Sequence, residues 1–366
     1  VAEGSQIPLA AEALDTVLRG LGESLGSPVD GVVVNRLHHR VYSRLADCDL
    51  RLRNGERRRV MVKVYQSSRG SGGREALAAL VAKDFEITTH LHRLFADRSQ
   101  LRVPVPLYHS PIDLVIVTAH MPGRQLQDKL VTQGRGFPGE AIVRELEADC
   151  RRCGEWLRAF QQGTRTVATG TVDLAAIRGM IADRLEWSVD SPSIPLDEAG
   201  RREILAYVDA VAGTLRPADL EVSGVHGDFF PGNVLAGEGE VVGLDFAMYR
   251  VGSVYADPSY FVFQLETLGY KPQYRRALVA RLRSAFLEGY EPHFAARDFF
   301  TAHPMLRLHL VLHLAMRLGG IFAARDAPLH RRVYNRFISR AVIAQLLRLA
   351  RDRSRAPESP AAEPVR

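Results

Sequence analysis

HGDFFPGNVL (residues 226–235) and, a few residues on, VVGLDF (241–246) decide how this chain is read. Asp228 and Asn233 are separated by four residues that include Pro231-Gly232, a pair that turns the chain. Such a turn can fold both side-chain oxygens toward one site. One is a charged carboxylate able to take a proton; the other is neutral and able to ligate a hard cation. The apolar, β-like run that follows delivers a single carboxylate, Asp245, from an adjoining strand end. A phosphoryl donor such as ATP carries clustered negative charge. Moving its terminal phosphoryl group needs divalent metal, a positioned lysine, and a base for the proton of the attacking hydroxyl.

The lysine can be sought upstream. Arg dominates the basic residues, and Lys appears only as Lys63, Lys83, Lys129 and Lys271. Lys63 stands in VMVKVY, an alternating apolar strand, where a buried ammonium is costly without a carboxylate partner. The following helix offers Glu75, just past a polar loop, and Glu86, in FEITTHLHRL.

The remaining pattern is α+β. LAAEALDTVLRGL predicts a leading helix over 9–21. GVVVNRL, VYSRLADCDLRLRNG and RRRVMVKVYQ predict three antiparallel strands, the second closed by the hairpin signal Asn54-Gly55. SSRGSGGRE (67–75) is a flexible polar loop; a helix spans 74–97, VPVPLY is extended and DLVIVTA (113–119) is a further strand. Beyond Gly123 the periodicity is helical over 138–162, 173–188, 197–214, 272–290, 304–324 and 328–352, interrupted by VSGVHGD and EVVGLDF. This predicts an N-terminal lobe (1–120), a helical C-terminal lobe (121–353) and a disordered Pro- and Ala-rich tail (354–366).

The spacing resembles the catalytic loop and metal motif of the protein-kinase-like fold, and most closely the aminoglycoside phosphotransferase and choline-kinase-like family. That group reads His-Gly-Asp, four residues, Asn, and about a dozen residues later Asp-Phe or Asp-Trp; here these are His226, Gly227, Asp228, Asn233, Asp245 and Phe246. The resemblance spans roughly residues 60 to 260. It implies a two-lobed fold with a small antiparallel sheet in the N-lobe and a mostly helical C-lobe. It also implies that Asp228 is the catalytic base, that Asn233 and Asp245 hold Mg2+, and that His226 and Asp257 brace the loop. Lys63 is then the residue on the α/β-phosphates of ATP (or another nucleoside triphosphate), with Glu86 preferred over Glu75 as its partner. The backbone at Ala119 and Met121 would pair with the adenine edge. The expected phosphate-covering loop, NRLHHRVYSRL (35–45), has no glycine, so the Gly-rich grip of protein kinases is absent. Ala247 after Asp-Phe, and no Ala-Pro-Glu segment between it and the tail, where Ala356-Pro357-Glu358 stands far from the motif, favour a small-molecule hydroxyl acceptor over a protein. A non-catalytic nucleotide-binding protein of the same fold is the rival reading, and nucleotidyl transfer a third.

Composition narrows the partners. The 366 residues are 46% hydrophobic and 25% charged, as in ordinary globular proteins. The net charge of +6 is scattered, with no basic stripe interleaved with aromatics, which argues against nucleic acid. No membrane-crossing apolar run and no basic-then-apolar start are evident, and Cys48, Cys150 and Cys153 cannot build a disulfide framework. A cytoplasmic location and no membrane partner are expected. Cys150-Arg-Arg-Cys153 reads as packing, and His309 and His313, one turn apart, as partly buried residues near the acceptor. The helices after Asp245 are Arg-rich, with Glu266, Glu288, Glu291 and Asp298 as the carboxylates that could meet a polycationic acceptor.

Overall fold

The computed structural model describes residues 7, 9–40, 42–66, 73–165, 170–189, 194–292, 303–324 and 328–351. The tail expected over 354–366 and most of the loop expected over 67–75 lie outside them. The chain divides into two compact units: Val1–Leu126 with Gly232–Tyr249, and Gln127–Pro231 with Arg250–Arg366. The division expected at 120 therefore falls later, and the segment carrying Asn233 and Asp245 returns to the first unit.

In the first unit, α1 (Ala11–Ser24) precedes β1 (Val29–His39), β2 (Ser43–Leu52) and β3 (Arg57–Tyr65). Then follow α2 (Arg74–Leu94), β4 (Leu101–Arg102), β5 (Pro106–Ser110), β6 (Val115–Ala119) and β7 (Arg124–Gln125). One antiparallel sheet has the order β1-β2-β3-β6-β5. Strand alternation sends Ala46, Cys48, Leu50, Val60, Val62 and Val64 into a core shared with Val17 and Leu21 of α1. The opposite face carries Lys63 and Tyr65. There Tyr65 and Ile116 meet Leu77 and Val81 of α2. The stretch expected as a phosphate-covering loop is mostly strand: β1 runs to His39, and the Arg40 N–H donates to the Ser43 carbonyl at 2.8 Å to close a tight turn.

The next strand, β8 (Val222–Val225), lies in the second unit; β9 (Val234–Gly237) and β10 (Glu240–Gly243) belong to the first. Glu238 (φ 50°) and Gly239 (φ 83°) make the left-handed two-residue turn that suits a twisted hairpin. The hairpin is extended by β7 on one side and β4 on the other, giving the order β4-β10-β9-β7. These backbone ladders are why 232–249 joins the first unit.

The second unit is mainly helical: α3 (Leu126–Gln133, starting one residue before the boundary), α4 (Glu140–Arg165), α5 (Leu174–Val189) and α6 (Glu198–Ala212). After β8 come β11 (Arg250–Ser253), antiparallel to it, α7 (Ala256–Glu266) and α8 (Arg276–Tyr290), then helices Pro304–Ala323 and Leu329–Arg351. Gly154 and Gly289 let α4 and α8 touch backbone to backbone. A Cβ on Gly154 would lie 2.1 Å from the Phe286 carbonyl oxygen, and one on Gly289 would lie 2.0 Å from that of Arg151. A ladder of rings runs through this unit, Phe160–Trp156–Phe229–Phe261–Phe286, with neighbouring centroids 5.4, 5.2, 5.3 and 4.2 Å apart. Helix Pro304–Ala323 corrects the expectation that no apolar run suffices for a bilayer: by length and composition it does, with 67% of its apolar window buried. Its Met305, Leu308, Val311, Leu312, Ala315 and Leu318 pack into the core with α5 and α6.

Candidate active site

The first unit assembles three charged groups. Lys63 points from the α2-facing side of β3, and its Nζ lies 3.1 Å from Oδ2 of Asp84 and 2.8 Å from Oδ1 of Asp245. Burial pushes the ammonium down, but the Asp84 and Asp245 carboxylates outweigh it and hold Lys63 well above its ordinary value. The ammonium also sits 4.5 Å from the Tyr65 ring centroid. Asp84 is the hub. It accepts from Lys63, from the Tyr65 hydroxyl and, at 3.0 Å, from the Phe246 N–H. One carboxylate thus ties the strand lysine to the backbone beside Asp245.

The β9–β10 hairpin sets the other two oxygens. Its register pairs Val234 with Gly243, so Asn233 stands across from Leu244, whose N–H donates to the Asn233 carbonyl at 2.9 Å. Asn233 and Asp245 therefore share one end of the hairpin. Asp245 holds φ 67°, a left-handed conformation that costs a non-glycine residue about 1–3 kcal/mol and collects at functional sites. Its side chain remains 43% exposed while bonded to Lys63. Among the described residues no group of three or more His, Cys, Asp and Glu side chains is placed to hold a metal. A neutral and a charged oxygen donor at one hairpin end fit a hard cation that takes its other ligands from phosphate and water.

In the second unit the loop after β8 carries Asp228. His226 is fully buried, and its N–H donates to Oδ2 of Asp257 at 2.7 Å. Gly227 adopts φ 83°, and its N–H donates to Oδ1 of Asp257 at 3.0 Å. The Asp228 N–H reaches Nδ1 of His226 at 3.4 Å. Asp257, near the start of α7, is buried; burial pushes its carboxyl up, and His226 with the two amides offsets this only in part. Phe229, fully buried in the ring ladder, anchors the loop's next residue. The Tyr260 hydroxyl hydrogen-bonds Asp228 and Gln264, and burial together with the Asp228 charge pushes it up to about 12. The rings of Phe230 and His313 flank Tyr260 at 6.3 and 5.1 Å.

A sequence model of the phosphotransferase enzyme family, APH, matches residues 49–300. The chain belongs to that family. No protein of curated function matches at a significant level. Solved structures agree on the fold. A thermostable mutant of the aminoglycoside phosphotransferase APH(4)-Ia, in ternary complex with AMP-PNP and hygromycin B, aligns with TM-score 0.55 and 16% identity, covering 90% of this chain and 98% of its own. A candidate aminoglycoside phosphotransferase from Ralstonia eutropha aligns with TM-score 0.58 and 13% identity, covering 94% and 99%. A glucosamine kinase aligns with TM-score 0.50 and 17% identity, covering 90% and 99%. The architecture is accordingly the protein-kinase-like one of APH structures, an N-terminal antiparallel sheet followed by a mostly helical part.

Within this APH-family chain the lysine's partner differs from the one expected. Glu86 is exposed on α2, as is Glu75, and Asp84 takes the position against Lys63. Helical geometry is the reason. The buried face is Leu77, Val81, Asp84, Thr88 and Leu91, spaced 4-3-4-3, and Glu86 stands two residues, about 200°, away from it. That spacing was visible in the sequence, and it made Asp84 the carboxylate in the apolar stripe. Tyr260 and Phe229 carried no comparable signal. Of the backbone expected to pair with the adenine edge, the Ala119 N–H is committed to the Val105 carbonyl at 2.9 Å, while Met121 buries its side chain. His309 and His313 are buried, more deeply than expected, with Nε2 of His313 2.9 Å from the Ser259 hydroxyl. Cys150 and Cys153 are buried free thiols in α4.

Proposed function

We propose that this chain transfers the γ-phosphoryl group of ATP to a hydroxyl of a small molecule. The observation that carries the reading is the Lys63–Asp245 contact at 2.8 Å, joining residues 182 apart in sequence. It brings the strand lysine onto the carboxylate that the family's motif uses for metal. In this reading Lys63, steadied by Asp84, clasps the α/β-phosphates. Asn233 and Asp245 supply the donors for Mg2+, which when bound neutralises phosphate charge. Asp228 accepts the hydrogen bond of the acceptor hydroxyl and takes its proton as the new O–P bond forms and the bond to the ADP leaving group breaks. Asp257 and His226 hold that loop in place, so little else is required of a reaction that depends on positioning and charge. The Met121 amide and the carbonyl of Ala119 meet the adenine edge. The APH(4)-Ia complex, with its AMP-PNP and hygromycin B, supports a nucleotide donor and a small hydroxylated acceptor.

The test is mass spectrometry of the protein with Mg·ATP and a panel of sugars, amino alcohols, nucleosides and antibiotics. A phosphorylated product is expected, reduced about 10³-fold in Asp228→Asn, which retains nucleotide binding. Asp245→Asn is expected to lose metal-dependent binding as well. Unaltered turnover in Asp228→Asn refutes the assignment of the base. The glycine-free β1–β2 turn favours a binding-only role, and Mg·ATP binding without transfer to any panel member would select it.

A further inference from the structure

The second unit pairs its charges unevenly. The three described carboxylates named above as candidates for a polycation are each engaged by an arginine. Glu266 faces Arg283 at 3.4 Å, Glu288 faces Arg151 at 2.6 Å and Glu291 faces Arg158 at 3.4 Å, while Asp298 lies outside the described residues. The cations nearby are in the opposite condition. Arg317 is half-buried, its Nε is buried with no hydrogen-bond partner, and it makes no ion pair among the described residues. Arg317 follows His313 by one helical turn, and the His313 ring is 5.1 Å from that of Tyr260, whose hydroxyl bonds Asp228. Lys271, just past α7, rests 6.0 Å from the Tyr274 ring centroid and likewise has no ion pair among the described residues.

We propose that the acceptor carries, besides its reacting hydroxyl, a carboxylate or phosphate group that Arg317 and Lys271 bind beside Asp228. The inference depends on the phosphotransferase reading and names the substrate class for it. Arg317 acts electrostatically on Tyr260, Tyr270 and Tyr334, so its charge is felt across this whole tyrosine-rich patch. Burial pushes the Lys271 ammonium below its ordinary value, and Arg317 and Arg135 push it further. Repulsion among cations of this kind is what an arriving anion relieves. A polycationic amino sugar would add to it instead.

A matched sugar series tests the idea on the full chain: D-glucosamine, D-glucose, D-glucuronate and D-glucose 6-phosphate. Binding is titrated calorimetrically with Mg·AMP-PNP bound, and transfer from Mg·ATP is followed by mass spectrometry. At least one anion is expected to bind about tenfold more tightly than glucose, with glucosamine weakest. Arg317→Gln is expected to lower the anion-to-glucose ratio about tenfold, Arg317→Lys to restore part of it, and Lys271→Gln to lower it independently. The two anions separate a carboxylate site from a phosphate site. The proposal is overturned if no anion outbinds glucose, if glucosamine binds as tightly as the anions, or if neither Gln variant changes the ratio. Loss of Mg·AMP-PNP binding by the parent protein, by contrast, is failure of the phosphotransferase reading itself. Unfolding midpoints of the variants show whether a lost preference is only lost structure.

Discussion

Replacing Asp84 by Asn tests the charge network at its hub. The substitution keeps the side chain's shape but turns one carboxylate oxygen into an NH2. The remaining oxygen can still accept from the Phe246 N–H, while the NH2 then faces the Tyr65 hydroxyl and the Lys63 ammonium, so the negative charge and the acceptor for Lys63 are lost together. The side chains of Asp84 and Lys63 are 5% and 15% exposed, so their interaction is weakly screened by water. Removing one partner of a buried pair costs about 3–5 kcal/mol, because the other charge is left desolvated. Asp245, 2.8 Å from the same ammonium, compensates in part, which places the expected loss near the lower limit. A loss of about 3 kcal/mol lowers the melting temperature of a unit this size by roughly 6–12 °C. Circular dichroism on heating and in urea measures it, and the KM for ATP, expected to rise about tenfold as Lys63 loses its anchor, is read alongside. Glu86→Gln is the control: on an exposed helix surface it should move the midpoint by no more than about 2 °C. The reasoning fails if Asp84→Asn unfolds within about 2 °C of the parent, or if Glu86→Gln proves the more damaging.

Two further outcomes follow from burial in the second unit. His309 is pushed down to about 4 by burial and by the Arg250 charge, below its ordinary 6.5, and His313 is pushed down too. A folded value below the unfolded one makes the stabilisation fully present above pH 6.5 and lost as pH falls through about 4, a change of about 3 kcal/mol for His309. Urea midpoints measured across that window should decline with acid, and His309→Gln should flatten the decline; an unchanged slope contradicts it. Gly289→Ala places a Cβ 2.0 Å from the Arg151 carbonyl oxygen, forcing α4 and α8 apart. It should cost more than about 3 kcal/mol and reduce soluble yield, whereas Gly139→Ala, with open space around it, should not.

Much of this protein is local, and what is local could be read along the chain. The Asn54-Gly55 turn is one case: Gly55 adopts φ 86°, and the Asn54 side chain accepts from the Glu56 N–H at 3.0 Å. Alternation in β2 and β3 is another, because the strand period binds neighbouring residues to opposite faces whatever else surrounds them. On α2 the helix itself was legible, but the buried face expected of it was not the one found, and Asp84 was passed over for Glu86. The spacing of Asp228, Asn233 and Asp245 likewise carried the family.

Tertiary structure alone decided which charges meet. Lys63 and Asp245 are 182 residues apart, and their contact depends on the β9–β10 hairpin hydrogen-bonding to β4 and β7 rather than to its neighbours in sequence. The same holds for Tyr260 on Asp228 and for the carboxylates quenched by Arg151, Arg158 and Arg283. A side chain's type and period say which way it faces. Electrostatic partnership falls off over a few ångströms, so it waits on the folded backbone to bring distant segments within reach.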